Sequence, residues 1–406
     1  MIDPGKKQGA PKGETAPEGR LELAAMGMEA EFSVEVDGRP VRPEAVFGSP
    51  RSFVRGALMH RQGTSYHLPT GGAVYFDTGV IEVATPVIEI ERGAAARAGR
   101  SLWEAILFVR EELDAWERRT GREVRLSGFS AHYNVSFELP AHAQGRSRTV
   151  RKLALLLAYI LPAPVMMLAT NRRSTGVGVR PRGDRIEITV DFTPSPALMI
   201  ATGTLIVGVV REVMRWPSYE LEMLERERIP VVDGFRPVPH TSRKGWLAGK
   251  DCYPADPFAA GPDAAVLPTS GGPVLSLRDI AGRIVRRFWH PVRRVSDPFT
   301  FRLIGSVMRG RAPSLLDLDD RPPEYDDVGR LCTWENLFPE AELARSRYER
   351  VLIHAIRGDR LRVGSRRYTP RGMRGWSAVV FRDDADGSRH VIGIDTLTRH
   401  LESWGR

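Results

Sequence analysis

Cysteine is almost absent from this chain of 406 residues: Cys252 and Cys332 are the only two, and neither belongs to a Cys-x-x-Cys pair. That excludes a disulfide framework and a zinc ribbon and fits a reducing cytoplasm. Long apolar runs are scarce as well. The most apolar stretch, Leu153 to Ala169, is interrupted by Pro162 and Pro164 and reads as a buried helix and turn, so no membrane span is expected. Residues 1–21 are rich in Pro, Gly, Lys and Glu without an apolar centre, which describes a disordered tail and not a signal peptide. No Gly-x-x-x-x-Gly-Lys-Ser/Thr occurs, and no Gly-x-Gly-x-x-Gly opens a helix, so P-loop and Rossmann readings lack their signatures. There is no Lys-rich block with interleaved aromatics of the kind single-strand binders use.

What is present is an ordinary soluble composition, 42% hydrophobic and 27% charged, with a net charge of +9 carried largely by scattered arginine. Such a balance suits nucleic acid, but equally an anionic substrate such as a nucleotide or an acidic protein tail. Period-two alternation marks the first strand, Gly27 to Val34: Met28, Ala30, Phe32 and Val34 point one way, Glu29, Glu31 and Ser33 the other. Gly72 to Asp77 and Val80 to Pro86 follow as a strand pair turning through Gly79, with Glu82 between Ile81 and Val83. Val124 to Leu139 reads as a strand kinked at Gly128, with His132, Asn134 and Ser136 on one face. In Arg185 to Asp191, Arg185, Glu187, Thr189 and Asp191 share a face.

Helices are expected over Ala94 to Arg119, Thr149 to Leu161 and Pro194 to Arg215, and loops over Gly38 to Pro50 and His60 to Gly72; Thr170 to Gly183 is rich in Arg and Gly. Pro254 to Pro273 reads as a linker or long loop, 275–360 as mainly helical, and Arg360 to Gly393 as a small β unit before a short last helix. The expected fold class is α+β: a curved antiparallel sheet with helices on one face over 22–240, then a smaller C-terminal helical and β region over 241–406.

Such a sheet would line a cleft with Glu29, Glu31, Glu82, His132 and Glu187. Clustered carboxylates repel unless a cation lies between them, and oxygen ligands with one imidazole suit magnesium or manganese. Arg172, Arg173, Arg180 and Arg185 flank the same sheet, and the planar guanidinium fork suits phosphate oxygens. Together these make an ATP phosphoryl-transfer site.

The motifs resemble a known family. Gly27-Met-Glu-Ala-Glu31 is similar to the opening Gly-x-Glu-x-Glu strand of carboxylate–amine ligases with the glutamine synthetase fold. Asn171-Arg172 through Arg180-Pro181 and Arg185-Ile-Glu187 resemble that superfamily's Asn-Arg…Arg-x-Pro…Arg-Ile-Glu region. Gly72-Ala73-Val-Tyr75-Phe-Asp77 with Glu82 and Thr85-Pro86, and His132-Tyr-Asn134, resemble the Pup ligase and depupylase branch. The resemblance spans roughly residues 24–215. It implies Glu29, Glu31, Glu82, His132 and Glu187 as metal ligands, Asp77 as the base that deprotonates an incoming amine, and the arginines as holders of ATP and an acyl phosphate. Two departures bear on the substrate: Thr189 stands where glutamine synthetases carry Arg, and Thr78-Gly79-Val80-Ile81 replaces a histidine-rich stretch of the Pup enzymes.

The expected activity is therefore an ATP- and magnesium-dependent ligase joining a carboxylate to an amine, with a protein or peptide among the candidate substrates. An amidase or deamidase on the same scaffold is the first rival, since water and amine need the same base. A basic nucleic-acid-binding protein on a degenerate enzyme fold is the second; a cleft lined with acids argues against it.

Overall fold

The computed structural model describes residues 21–136, 147–240, 245–332 and 344–405. Residues 1–20 of the expected tail over 1–21, and the expected end of the strand beyond Ser136, lie outside the described residues.

Twelve antiparallel strands form one large sheet. In chain order they are β1 (Ala25–Val36), β2 (Arg39–Val41), β3 (Met59–Gln62), β4 (Ser65–His67), β5 (Ala73–Asp77) and β6 (Val80–Ala84). There follow β7 (Ile88–Glu89), β8 (Val124–Ser136), β9 (Val177–Pro181), β10 (Arg185–Asp191), β11 (Val238–Pro239) and β12 (Trp246–Ala248). The main path runs β11-β12-β9-β10-β8-β1-β6-β5-β4-β3, and β2 and β7 also pair with β1. A second, five-stranded sheet near the C-terminus holds β13 (Arg360–Val363), β14 (Arg366–Arg374), β15 (Ala378–Asp383), β16 (Arg389–Gly393) and β17 (Trp404–Gly405). The α+β class with a large antiparallel sheet, helices and a smaller second sheet is thus present.

The helices are α1 (Pro43–Phe47), α2 (Ala94–Thr120), α3 (Ser147–Ile160), α4 (Pro162–Ala169), α5 (Pro196–Met214) and α6 (Glu222–Arg226). Beyond them come α7 (Leu277–Arg287), α8 (Trp289–Val295), α9 (Pro298–Val307), α10 (Arg347–Arg357) and α11 (Ile394–Leu397). In α2, the stripe Leu102, Ile106, Val109, Leu113 and Trp116 is buried, and the helix stops where Gly121 takes a left-handed conformation that favours glycine. Pro162 splits the apolar run into α3 and α4, bent by 60°. The residue Ser195 caps α5, with Pro196 in its first turn. That helix is long and apolar enough to cross a membrane, yet 83% of its apolar window is buried inside the molecule.

Both expected loops hold structure, and so does the Arg- and Gly-rich stretch. Gly38 to Pro50 contains β2 and α1, His60 to Gly72 contains most of the β3–β4 hairpin, and Thr170 to Gly183 contains β9. The first two carry short elements at or near the sheet's edge, where polar side chains are tolerated and alternation is weak. The third is extended because it pairs with β10 and β12, long-range partners invisible in its own composition. One apolar core runs from Met26 to Cys332, and a second gathers Ala25 with Tyr348 to Leu397. Among the described residues the larger core ends at Cys332, and the smaller one, Ala25 apart, begins at Tyr348.

Candidate active site

A bulge decides which way the central histidine points. Along β1 the buried residues keep one parity, from Met26 through Val36. Along β8 the parity changes: Val124 and Leu126 are buried, then Ala131, Tyr133 and Val135. The register shifts where Glu31 pairs with Ser130 but Phe32 pairs with Gly128, leaving Phe129 as the extra residue. Without it, His132 would share the face of Leu126 and enter the core; with it, Ser130, His132 and Asn134 join the face of Glu29 and Glu31. A bulge beside a site re-aims a side chain in this manner. Gly128 belongs to the device, because a Cβ there would lie 2.4 Å from the Phe192 ring.

Strand register then converges the acids. Glu29 pairs with His132, and Glu31 pairs with Ser130 on one side and Glu82 on the other. Glu82 pairs in turn with Tyr75, and Asp77 closes the β5–β6 hairpin opposite Val80. The hairpin's two turn residues, Thr78 and Gly79, both have positive φ (50° and 98°), the pattern of a type I′ turn. Two overlapping groups result: Glu29, Glu82 and His132, and Glu31, Asp77 and Glu82, each with one ligand atom per residue lying within 4.8 Å of the others. Glu82 belongs to both.

Short contacts tie the groups together. His132 Nδ1 lies 3.1 Å from Glu29 Oε2 and 3.9 Å from Glu82 Oε1, and its Nε2 lies 3.5 Å from Glu31 Oε1. The Ser130 hydroxyl donates to Glu31 at 2.5 Å, and the Tyr75 hydroxyl donates to Glu82 at 2.5 Å. Glu82 is only 3% exposed. Burial, followed by repulsion from Glu29, pushes its carboxyl up to about 10, although the Tyr75 hydrogen bond opposes this. Glu29 goes the other way: burial raises it, but the hydrogen bond and charge of His132, with Arg185 beyond, bring it down to about 2. Burial lowers His132, but its carboxylate neighbours Glu29, Glu31 and Glu187 leave it raised. Like charges crowded into a buried place are the arrangement a divalent cation relieves, and carboxylate oxygens with one imidazole suit magnesium or manganese. The donor set fits such an ion.

The expected arginines divide. Arg180 pairs with Glu187 and stands 3.4 Å from His132 Nε2, and Arg185 Nε donates to Asn134 at 2.7 Å. Arg172 is held elsewhere, on the Leu316 carbonyl and Asp319, and Arg173 is exposed. Glu187 lies on the acid face, but Arg180 and Arg182 grip its two oxygens, so here it belongs to an arginine pair and to neither carboxylate group.

Three participants escaped the reading of the sequence: Tyr75, Ser130 and Arg182. Each was legible by period two, since Tyr75 shares a face with Asp77, Ser130 with His132, and Arg182 with Arg180. Asp191 was placed on that face but given no task. It accepts from the Asn171 backbone and side-chain amides and from Ser174, fixing the loop that leads into β9. Burial raises its carboxyl to about 6.

No family model and no curated protein matches the chain. Among solved structures, the complex between the prokaryotic ubiquitin-like protein Pup and its ligase PafA is similar at 12% identity, over 94% of this chain and 92% of that one, with a TM-score of 0.46. A likeness at that level bears on nothing about this chain's chemistry.

Proposed function

We propose that this protein is an ATP- and magnesium-dependent carboxylate–amine ligase acting in the cytoplasm. The observation that supports it most is Glu82, a buried carboxylate common to the Glu29–Glu82–His132 and Glu31–Asp77–Glu82 groups. Glu29, Glu31, Glu82 and His132 would hold magnesium, with manganese as a substitute. When bound, the metal neutralises phosphate oxygens and polarises the phosphoryl group under attack. Tyr75 and Ser130 orient Glu82 and Glu31 through their hydrogen bonds. Glu187 sets Arg180 and Arg182 beside the carboxylates, where they would supply positive charge to phosphate oxygens; Arg185 adds positive charge beside Glu29.

In the reaction, a substrate carboxylate takes the terminal phosphoryl group of ATP, giving an acyl phosphate and ADP. An amine attacks the acyl carbon, the carbon–nitrogen bond forms, and the carbon–oxygen bond to phosphate breaks. Asp77, at the mouth of the hairpin, takes the proton the amine loses. A lysine side chain is one amine of suitable chemistry, and a peptide carboxylate one acyl donor.

Calorimetric titration with ATP, with and without magnesium, tests the metal set: magnesium should tighten ATP binding, and Glu31→Ala should remove that gain. An ATP affinity that is the same with and without magnesium, or an unaffected variant, would refute it. Asp77→Asn should keep magnesium-dependent ATP binding and lose amide formation; near wild-type ligation would remove Asp77 from the role. Phosphate release in step with amide formation separates a ligase from an amidase, which would cleave the amide without consuming ATP.

A further inference from the structure

A second charged site lies away from the carboxylates. The loop after β7 meets the turn between α8 and α9 in a cavity of about 530 Å³. Arg92, Arg293, Arg294 and Arg302 line it with His290, and Phe301 forms an apolar wall. No carboxylate lines it among the described residues. The nearby Asp297 is engaged in capping α9, where it accepts from the Thr300 amide at 2.9 Å. None of the four arginines forms an ion pair among the described residues, in a chain where many other arginines do. One is anchored by backbone: Arg92 Nε donates to the Ser296 carbonyl at 3.2 Å. The walls are firm, because Gly93 N donates to Val295 O and Val292 packs against Gly208 of α5. The same α5 packs on the apolar face of the large sheet, where Gly203 approaches Tyr133. The cavity is therefore set among helices behind that face, while the carboxylates occupy the other.

All four arginines are exposed residues, and four guanidinium groups around a concavity with no counter-charge among the described residues repel one another. Exposure and salt reduce this repulsion but do not direct it. A multiply charged anion turns it into attraction, and the planar fork of arginine matches phosphate oxygens in particular. The volume falls in the range of sites that enclose small ligands. A hollow, unlike an open basic stripe, suits a compact polyanion better than a strand of nucleic acid, whose backbone needs a track.

We propose that this cavity binds a small oligophosphate anion, free or as the polyphosphate of a nucleotide, independently of divalent metal. The test is calorimetric titration of the full chain with inorganic tripolyphosphate in chelator at low salt. Wild type should bind with saturation, and Arg294→Ala with Arg302→Ala should weaken binding about tenfold or more, the value of losing one or more charge-assisted hydrogen bonds. Glu82→Gln should bind as wild type does, and the arginine variant should keep magnesium-dependent ATP binding at the carboxylates. ATP in chelator binding no tighter than tripolyphosphate assigns a free oligophosphate; tighter ATP binding lost in the arginine variant assigns a nucleotide. Equal binding by wild type and the arginine variant, absence of saturable binding, or tighter binding of a single-stranded oligonucleotide lost in the same variant would overturn the proposal.

Discussion

The two sheets treat buried charge in opposite ways. In the small C-terminal sheet, Asp383 is fully buried, but Arg366 meets one of its oxygens at 2.7 Å and the Ala385 amide meets the other at 2.9 Å. In the large sheet, Glu82 is nearly as buried, and its neighbours include two further carboxylates. The first arrangement is complete within the chain: its charge is paired and its donors are satisfied, which is what structure alone requires. The second sets Glu82 beside Glu29 and Glu31, with the Tyr75 hydroxyl donating to it, an arrangement that a cation would relieve. A buried carboxylate therefore marks function by the company it keeps and not by its depth.

The largest effect expected from breaking that contrast falls on Glu82. Glu82→Gln should lower magnesium-dependent ATP affinity by about 100-fold or more, as loss of a shared ligand does, while making the metal-free protein more stable by ~1 kcal/mol or more, because glutamine is not charged in the unfolded chain and no buried carboxyl has to be neutralised on folding. Denaturant unfolding in chelator at neutral pH reads the second part; a less stable metal-free variant would contradict the idea that the place is hostile to a carboxylate charge. Next in size, Asp383→Ala should cost about 1 kcal/mol or more, since it removes the buried acceptor of the Ala385 amide and the Arg366 guanidinium. ATP affinity should stay unchanged, and unfolding curves paired with calorimetry check both.

His67 tests the seam between the sheets, where its buried ring meets Trp376 edge-on at 4.9 Å. Burial, aided by the charge of Arg61, lowers the imidazole from its ordinary 6.5 to about 3. The unfolded chain then binds a proton that the folded chain refuses, so this contribution is whole above pH 6.5 and is lost as the pH falls toward 3. Within that window the slope due to this group is about 1.4 kcal/mol per pH unit. His67→Phe should flatten the profile of stability against pH between these limits; an unchanged slope would place the acid sensitivity elsewhere. The smallest effect belongs to the hairpin that carries Asp77. Thr78 is β-branched at φ 50°, a conformation that costs such residues about 1 kcal/mol or more. Thr78→Gly should raise the melting temperature by a few degrees while weakening the hold on Asp77, whose Oδ1 accepts the Thr78 hydroxyl at 2.9 Å. A melting temperature that falls would show that the turn is not strained.

Much of the carboxylate face was legible from alternation. Glu29 and Glu31 fall where period two puts them, and so does Glu187. Convergence of these strands was not written locally, because it depends on pairings such as Glu31 with Ser130, ninety-nine residues apart. The aim of His132 was half legible: Gly128 hinted at a kink, but the extra residue Phe129 looks like one more strand position until its partner strand is known. Arg172 and Arg173 read as neighbours of Arg180 in a single loop, and tertiary contacts with Leu316 and Asp319 drew Arg172 away. The arginine cavity was not legible at all. Arg92 lies about two hundred residues from Arg293, and nothing in either segment announces the other.

The most direct test of the central claim counts bound manganese by electron paramagnetic resonance on wild type and Glu82→Gln. If Glu82 is the carboxylate common to both groups, wild type should take up manganese with saturation and the single substitution should weaken that uptake strongly. Absence of saturable binding in wild type, or a variant that binds manganese at wild-type affinity, would contradict the account.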